Sequence, residues 1–327
     1  MITINAKELS KALSLVLSSA ERKTTMPILA FVKFESDGRN LKLTGTDIDT
    51  WLSLNLSAES DAGSFCAPAK QLLSLVSLMD GEVKIDPQEQ VIVSSGRSVY
   101  KLPKASSEDF PVIEQAKKSC GKIAGSLFSE MISAAMIAVS TNPNDTEVSK
   151  SVLIKSDKKK LSVVGCDQKR LAVAEAPNKS EFSVVIPHKA ATALAAFSAE
   201  SESVEIFCSD NLFSVKSEKG EAGARQLSVQ YPNYELVIPK DSEHKIELNP
   251  ASIVPAIKRA LCTSEGELRS LKVTLNKTEA VIATRGHEKG TGQESLSIDC
   301  ASLNGDELII GIPKQADTRS VYDLRFQ

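Results

Sequence analysis

Long apolar runs are missing from this 327-residue chain. Those present are short, Leu308-Ile309-Ile310 among them, and fall far short of a bilayer span. Met1-Ile2-Thr3-Ile4-Asn5 lacks the basic start and apolar stretch of a secretory signal, so a cytoplasmic protein with no membrane partner is expected. Paired cysteine spacing is missing too. The six cysteines, at 66, 120, 166, 208, 262 and 300, form no CxxC and have no histidine close in sequence, so reduced thiols are expected rather than a zinc knuckle or a disulfide framework. Only three histidines occur, His188, His244 and His287, each isolated, which gives little support to a histidine-centred active site. Excess positive charge is absent: the net charge is −3, which argues against tight wrapping of a phosphate backbone but permits basic groups gathered on one face. No phosphate-cradling loop is present, since Glu288-Lys289-Gly290-Thr291-Gly292 matches no Walker pattern and follows the wrong elements.

What the chain does have is length for two or three domains and a composition ordinary for a globular protein. It also repeats itself three times, at a period longer than that of solenoid repeats. Each copy opens with a short strand and an amphipathic helix. Leu9, Leu13, Val16 and Leu17 mark the first helix; Leu127, Met131, Ile132, Ala135 and Val139 the second; Ile253, Ile257, Ala260 and Leu261 the third. Steps of three and four place each set on one helix face. Asn249-Pro250 offers the third helix a cap followed by a first-turn proline. A strand, polar turn and second strand follow: Leu41 to Asp47 and Trp51 to Leu54, Leu161 to Asp167 and Leu171 to Val173, Ala280 to Thr284 and Leu296 to Ile298.

The third landmark is a strand, a proline and a lysine opening a helix: Pro68-Ala69-Lys70, Pro187-His188-Lys189 and Pro313-Lys314. The first two run on into helices. The third passes within a few residues to Arg319-Ser320-Val321-Tyr322-Asp323-Leu324, which matches Arg97-Ser98-Val99-Tyr100-Lys101-Leu102 of copy one. Copy three thus keeps its beginning and its last strand and drops a middle of roughly 25 residues, on ordinary element lengths. The expected domains are 1–118, 119–243 and a shortened 244–327.

Met26-Pro27-Ile28-Leu29, Thr44-Gly45-Thr46-Asp47, Ser95-Gly96-Arg97 and Phe110-Pro111 resemble the first domain of bacterial DNA sliding clamps, the beta subunits of the replicative DNA polymerase III. Cys166-Asp167-Gln168-Lys169-Arg170-Leu171-Ala172 resembles the Thr-Asp-Gly-His-Arg-Leu-Ala phrase of the second domain, and Tyr231-Pro232-Asn233-Tyr234 its Phe-Pro-Asp-Tyr phrase. The similarity runs in order along nearly the whole chain. It implies an α+β DNA-clamp fold, three repeated domains with helices on the lumen face and antiparallel sheets outside. It further implies a head-to-tail homodimer ring around double-stranded DNA that tethers the DNA polymerase III catalytic subunit and meets the clamp loader. Such a ring is a processivity factor, without catalysis, metal or cofactor.

A ring retains DNA by closure, so few mobile phosphate contacts suffice, and lysines suit them as flexible point charges. The candidates are Lys7, Lys11, Lys70, Lys189, Lys258, Arg259 and Lys314, with Lys23 and His188 added, and Lys189 reinforced, by the resemblance. The resemblance places a partner-peptide pocket at Cys166, Gln168, Lys169, Arg170, Leu171, Pro232, Leu236 and Val237 with the C-terminal Leu324, Arg325 and Phe326. Here Gln168-Lys169 replaces Gly-His, and Leu236 stands where arginine is common. The implied dimer interface sets Tyr100 and Leu102 of one chain against Leu261 and Cys262 of the other. Two other readings are weighed: a clamp paralogue that binds partners without closing a ring, and a nuclease using Asp47, Asp49 and Asp167 as metal ligands. Asp47 and Asp167 occupy equivalent repeat positions, which favours a shared turn.

Overall fold

The computed structural model describes residues 1–20, 26–238, 245–247, 249–262, 270–284, 292–302 and 308–313. The described residues form two compact units that divide between Tyr231 and Pro232.

In the first unit, copy one runs β1 (Ile2–Asn5), α1 (Ala6–Val16), β2 (Phe31–Ser36), β3 (Asn40–Thr46), β4 (Thr50–Ser57), β5 (Glu59–Ser60), β6 (Gly63–Pro68), α2 (Ala69–Val76), β7 (Glu82–Pro87), β8 (Val91–Ser95) and β9 (Ser98–Leu102). Copy two repeats it with β10 (Lys118–Ala124), α3 (Gly125–Met136), β11 (Ser151–Asp157), β12 (Lys160–Cys166), β13 (Leu171–Pro177), β14 (Glu181–Pro187), α4 (His188–Ala199), β15 (Ser203–Cys208), β16 (Leu212–Ser217) and β17 (Gly220–Arg225). Helix α1 starts where the Asn5 side chain accepts from the Lys7 N–H at 3.0 Å, and it buries Leu9, Leu13 and Val16. Each such side chain contributes roughly 1.5–3 kcal/mol by leaving water. Helix α3 ends at Met136, before Val139, which is buried just beyond it.

The helices sit close on their sheets because small residues lie beneath them. Gly45 on β3 faces Val16, and Gly165 on β12 faces Ala135; a Cβ at Gly165 would overlap the Ala135 carbonyl oxygen. The repeat therefore keeps glycine at both positions.

Copies one and two share an eight-stranded antiparallel sheet, ordered β10-β15-β16-β17-β4-β3-β2-β6. Its centre is the junction of the copies: β17 pairs with β4, Gly220 opposite Leu54 through Ala224 opposite Thr50. One apolar core runs through both copies, from Leu9 and Phe34 to Phe197 and Phe213. This continuity is why the two copies form a single compact unit. The other sheets of the unit are five-stranded, β5-β1-β7-β8-β9, and four-stranded, β13-β12-β11-β14.

The second unit holds β18 (Lys245–Glu247), α5 (Pro250–Cys262), β19 (Ser270–Leu275), β20 (Glu279–Thr284), β21 (Gln293–Ser297), β22 (Asp299–Ser302) and β23 (Leu308–Pro313). Asn249 accepts from the Ala251 N–H at 2.9 Å as α5 opens at Pro250. The order β21-β20-β19-β23, with β18 paired to β22, reproduces the first half of copy one, where β4-β3-β2-β6 form one sheet and β1 pairs with β5. Its own core joins Ile253, Ala256 and Ala260 to Leu271, Val273 and Ile282. Lys23, Lys314, Leu324, Arg325 and Phe326, and the Arg319 to Leu324 segment expected as copy three's last strand, lie outside the described residues.

Candidate functional site

The basic residues nominated for DNA divide into two groups. Of the seven within the described residues, four are paired with acidic groups. Lys189, near the start of α4 in copy two, pairs with the Asp47 carboxylate in the β3–β4 turn of copy one and also donates to the Ala20 carbonyl at 3.3 Å. Lys11 on α1 pairs with Glu200, the residue capping α4, at 2.5 Å. Arg259 on α5 holds Glu294 of β21 through two bonds of 2.8 Å. Lys7 is 3.8 Å from Asp80, both exposed. Lys70 and Lys258, by contrast, are exposed and have no acidic partner among the described residues. His188 is half-buried at the first position of α4, and burial lowers its pKa, which favours the neutral imidazole. The nominated cations therefore stand in different surroundings: Lys11 and Lys189 brace copy one against copy two, Arg259 braces its own sheet, and burial disfavours charge on His188.

Sequence reading missed these braces because nothing in a repeat signals which lysine of one copy meets which acid of another. The same junction also carries Asn55 N–H to the Lys219 carbonyl at 2.8 Å and Arg225 N–H to the Asp49 carbonyl at 2.7 Å. The Arg225 guanidinium lies 3.9 Å from Asp49 and 3.6 Å from Glu114.

The aspartate turns are the same turn made twice. Asp47 accepts from the Thr50 N–H at 2.6 Å, and Asp167 from the Arg170 N–H at 2.7 Å. Their second residues, Ile48 and Gln168, both take left-handed backbone, with φ of 83° and 72°. That conformation is natural for glycine and strained for β-branched isoleucine. Burial would raise the Asp167 carboxyl, but the Arg170 guanidinium at 2.7 Å and the N–H groups of Arg170 and Lys169 outweigh it and hold it below the usual range. Both carboxylates are thus engaged by turn backbone and by a cation, Lys189 or Arg170.

Of the residues nominated for a partner peptide, Cys166 and Leu171 are half-buried strand ends in the first unit, Arg170 is fixed on Asp167, and Gln168 donates to Ser149 at 3.3 Å. In the second unit Pro232 is exposed, with Leu236 and Val237 at 82% and 68%. Tyr100 and Leu102 lie on β9, an edge strand, with Tyr100 43% exposed. Cys262 is exposed at the end of α5, and Leu261 packs partly into that unit's core.

The family model for the N-terminal domain of the DNA polymerase III beta subunit matches residues 1–114, and that for its central domain matches 122–233. The chain belongs to the DNA polymerase III beta-subunit family. Among its relatives is the beta sliding clamp of Pseudomonas aeruginosa, 25% identical over 321 residues, spanning 94% of this chain and 86% of the relative. That of Caulobacter vibrioides is 28% identical over 330 residues, spanning 95% and 87%. Among solved structures, the P. aeruginosa beta subunit bound to griselimycin superposes with a TM-score of 0.83 at 24% identity, covering 94% of this chain and 86% of that one. The Caulobacter crescentus clamp gives 0.82 at 24%, covering 95% and 86%. The fold is that of the sliding clamps, as the resemblance implied. No helix among the described residues is long and apolar enough to cross a membrane.

Proposed function

We propose that this chain is a processivity clamp: two copies join head to tail into a ring around duplex DNA, tether the DNA polymerase III catalytic subunit, and are placed there by a clamp loader. The observation that carries the reading is the β4–β17 junction. β17, the last strand of copy two, closes onto β4 of copy one. The copy-one equivalent of β17 is β9, and the copy-three equivalent of β4 is β21; among the described residues both stand at sheet edges. A second molecule's β21 laid on β9 repeats the internal junction between chains, and doing so twice closes a C2 ring. Unpaired edges invite such pairing. Tyr100 and Leu102 with Leu261 and Cys262 are the side chains we assign to this contact.

Lys70 and Lys258, and Lys7 whose pair is exposed, are the cations we assign to DNA. The turn from Cys166 to Leu171, with Pro232, Leu236 and Val237, is assigned to partner peptides. Lys23, Lys314 and the C-terminal Leu324, Arg325 and Phe326 keep the roles that the resemblance implies. Domain limits are placed at 118/119 and 243/244, with the third domain shortened. The clamp works in the cytoplasm, where replication is, and makes or breaks no bond: retention is topological.

The test is retention on DNA. Clamps loaded onto nicked circular plasmid by a bacterial clamp loader co-elute with it on gel filtration and are lost after linearisation. Equal retention on circular and linear DNA overturns the proposal.

A further inference from the structure

The turn assigned to partner peptides in copy two has a counterpart in copy one, from Thr46 to Trp51, and the Tyr231-Pro232 phrase has its counterpart in Phe110-Pro111. These counterparts meet. Thr46, Ile48 and Trp51 line a cavity of about 30 Å³ together with Pro111, Val112 and Ile113. Trp51 and the same three residues also line a cavity of about 310 Å³. Two residues lining the larger cavity, Trp51 and Glu221, 3% and 8% exposed, each carry a buried polar atom without a hydrogen-bond partner among the described residues: the Trp51 Nε1 donor and the Glu221 Oε1 acceptor. They stand on paired strands, with Glu221 opposite Ser53, two residues from Trp51. Buried polar groups are rarely left so, because an unmade bond costs the full desolvation of the group.

The chemistry of an occupant follows. A primary carboxamide accepts through its oxygen from the indole N–H and donates through its NH2 to the carboxylate. A carboxylate ligand would face Glu221 as a like charge. Most flanking charges are already paired, Lys33 with Glu35 at 2.8 Å and Lys216 with Glu221 at 3.5 Å, which suits a neutral group. The rim is open and mixed: Val112 is 93% exposed and Ile48, on the smaller cavity, 45%, beside the polar Lys42, Ser107 and Glu108 of the larger one. Exposed apolar groups around a polar floor mark a recognition surface.

We propose that the junction of copies one and two is a second docking surface, for an extended segment of a partner protein that sets a side-chain carboxamide beside an apolar residue. It lies wholly within one chain and so goes beyond the ring reading and stands independently of it.

Trp51 is the only tryptophan in the chain, so its emission reports on this site alone. N-acetyl-leucinamide, which joins an isobutyl group to a primary carboxamide, titrated into the full-length protein gives a saturable change in that emission. N-acetyl-leucine, the matching carboxylate, binds roughly fivefold or more weakly, the factor that one hydrogen bond is worth. Glu221→Gln removes the like charge and abolishes the preference for the amide. No saturable change with the amide, equal response to both compounds in the unsubstituted protein, or a preference unaltered in Glu221→Gln overturns the proposal. Light scattering on the same samples reports ring formation separately.

Discussion

Lys189 shows how a cation's job depends on what stands opposite it. Its ammonium sits between the Asp47 carboxylate, which is 11% exposed, and the Ala20 carbonyl. Lys189→Ala leaves that aspartate without its cation and lowers unfolding stability by about 1–2 kcal/mol, a value reduced by the partial exposure of the lysine. Urea denaturation measures it. On DNA the same substitution changes little, whereas Lys70→Ala and Lys258→Ala each flatten the salt dependence of binding, by about 0.9 in log–log slope for every phosphate left without its cation. Asp167 yields a pH dependence. Its depressed carboxyl adds stability that is complete above the ordinary aspartate value of about 4 and is lost as pH falls through the lower folded value. Asp167→Asn removes that acid limb, so the variant's urea midpoint falls less than the parent's between pH 5 and pH 3, to take roughly that window.

At the scale of elements, the glycines on β17, Gly220 and Gly223, govern whether copies one and two share a sheet. Gly223 lies opposite Trp51, and a Cβ there would overlap the indole ring. Gly223→Val therefore costs about 1–3 kcal/mol or more by overpacking, and circular dichroism melting records it as a lowered midpoint. Most elements were legible in the sequence. The apolar spacing of Leu9, Leu13 and Val16 and the Asn249-Pro250 cap mark helices that form where expected. The strand–turn–strand units around Asp47 and Asp167 were equally plain, because alternation and turn chemistry are local signals. The strand pairing across copies was not legible. Gly220 to Ala224 carry no sign that their partner is Thr50 to Leu54, which lie far earlier in the chain. Closing so long a loop costs little more entropy than closing a shorter one, so chain distance does not point to the partner either. The ion pairs of Lys11 and Lys189 are hidden for the same reason, being set by tertiary approach alone.

For the whole molecule, the repeat, the family and the clamp fold agree with the phrases quoted from the sequence, while copy three retains only the half built on α5 and β18 to β23 among the described residues. The proposed contact between chains makes Cys262 a reporter. It is exposed in the single chain, whereas Cys66 is buried and its thiol pushed up to about 11 by desolvation. Iodoacetamide alkylates Cys262 ahead of Cys66, and dimerisation slows the reaction at Cys262; peptide mass mapping across a dilution series follows both. The most direct test of a head-to-tail ring is solution mass by light scattering over that series. The account predicts a stable species of twice the 35.1 kDa chain mass, and a 35.1 kDa monomer at every concentration would contradict it.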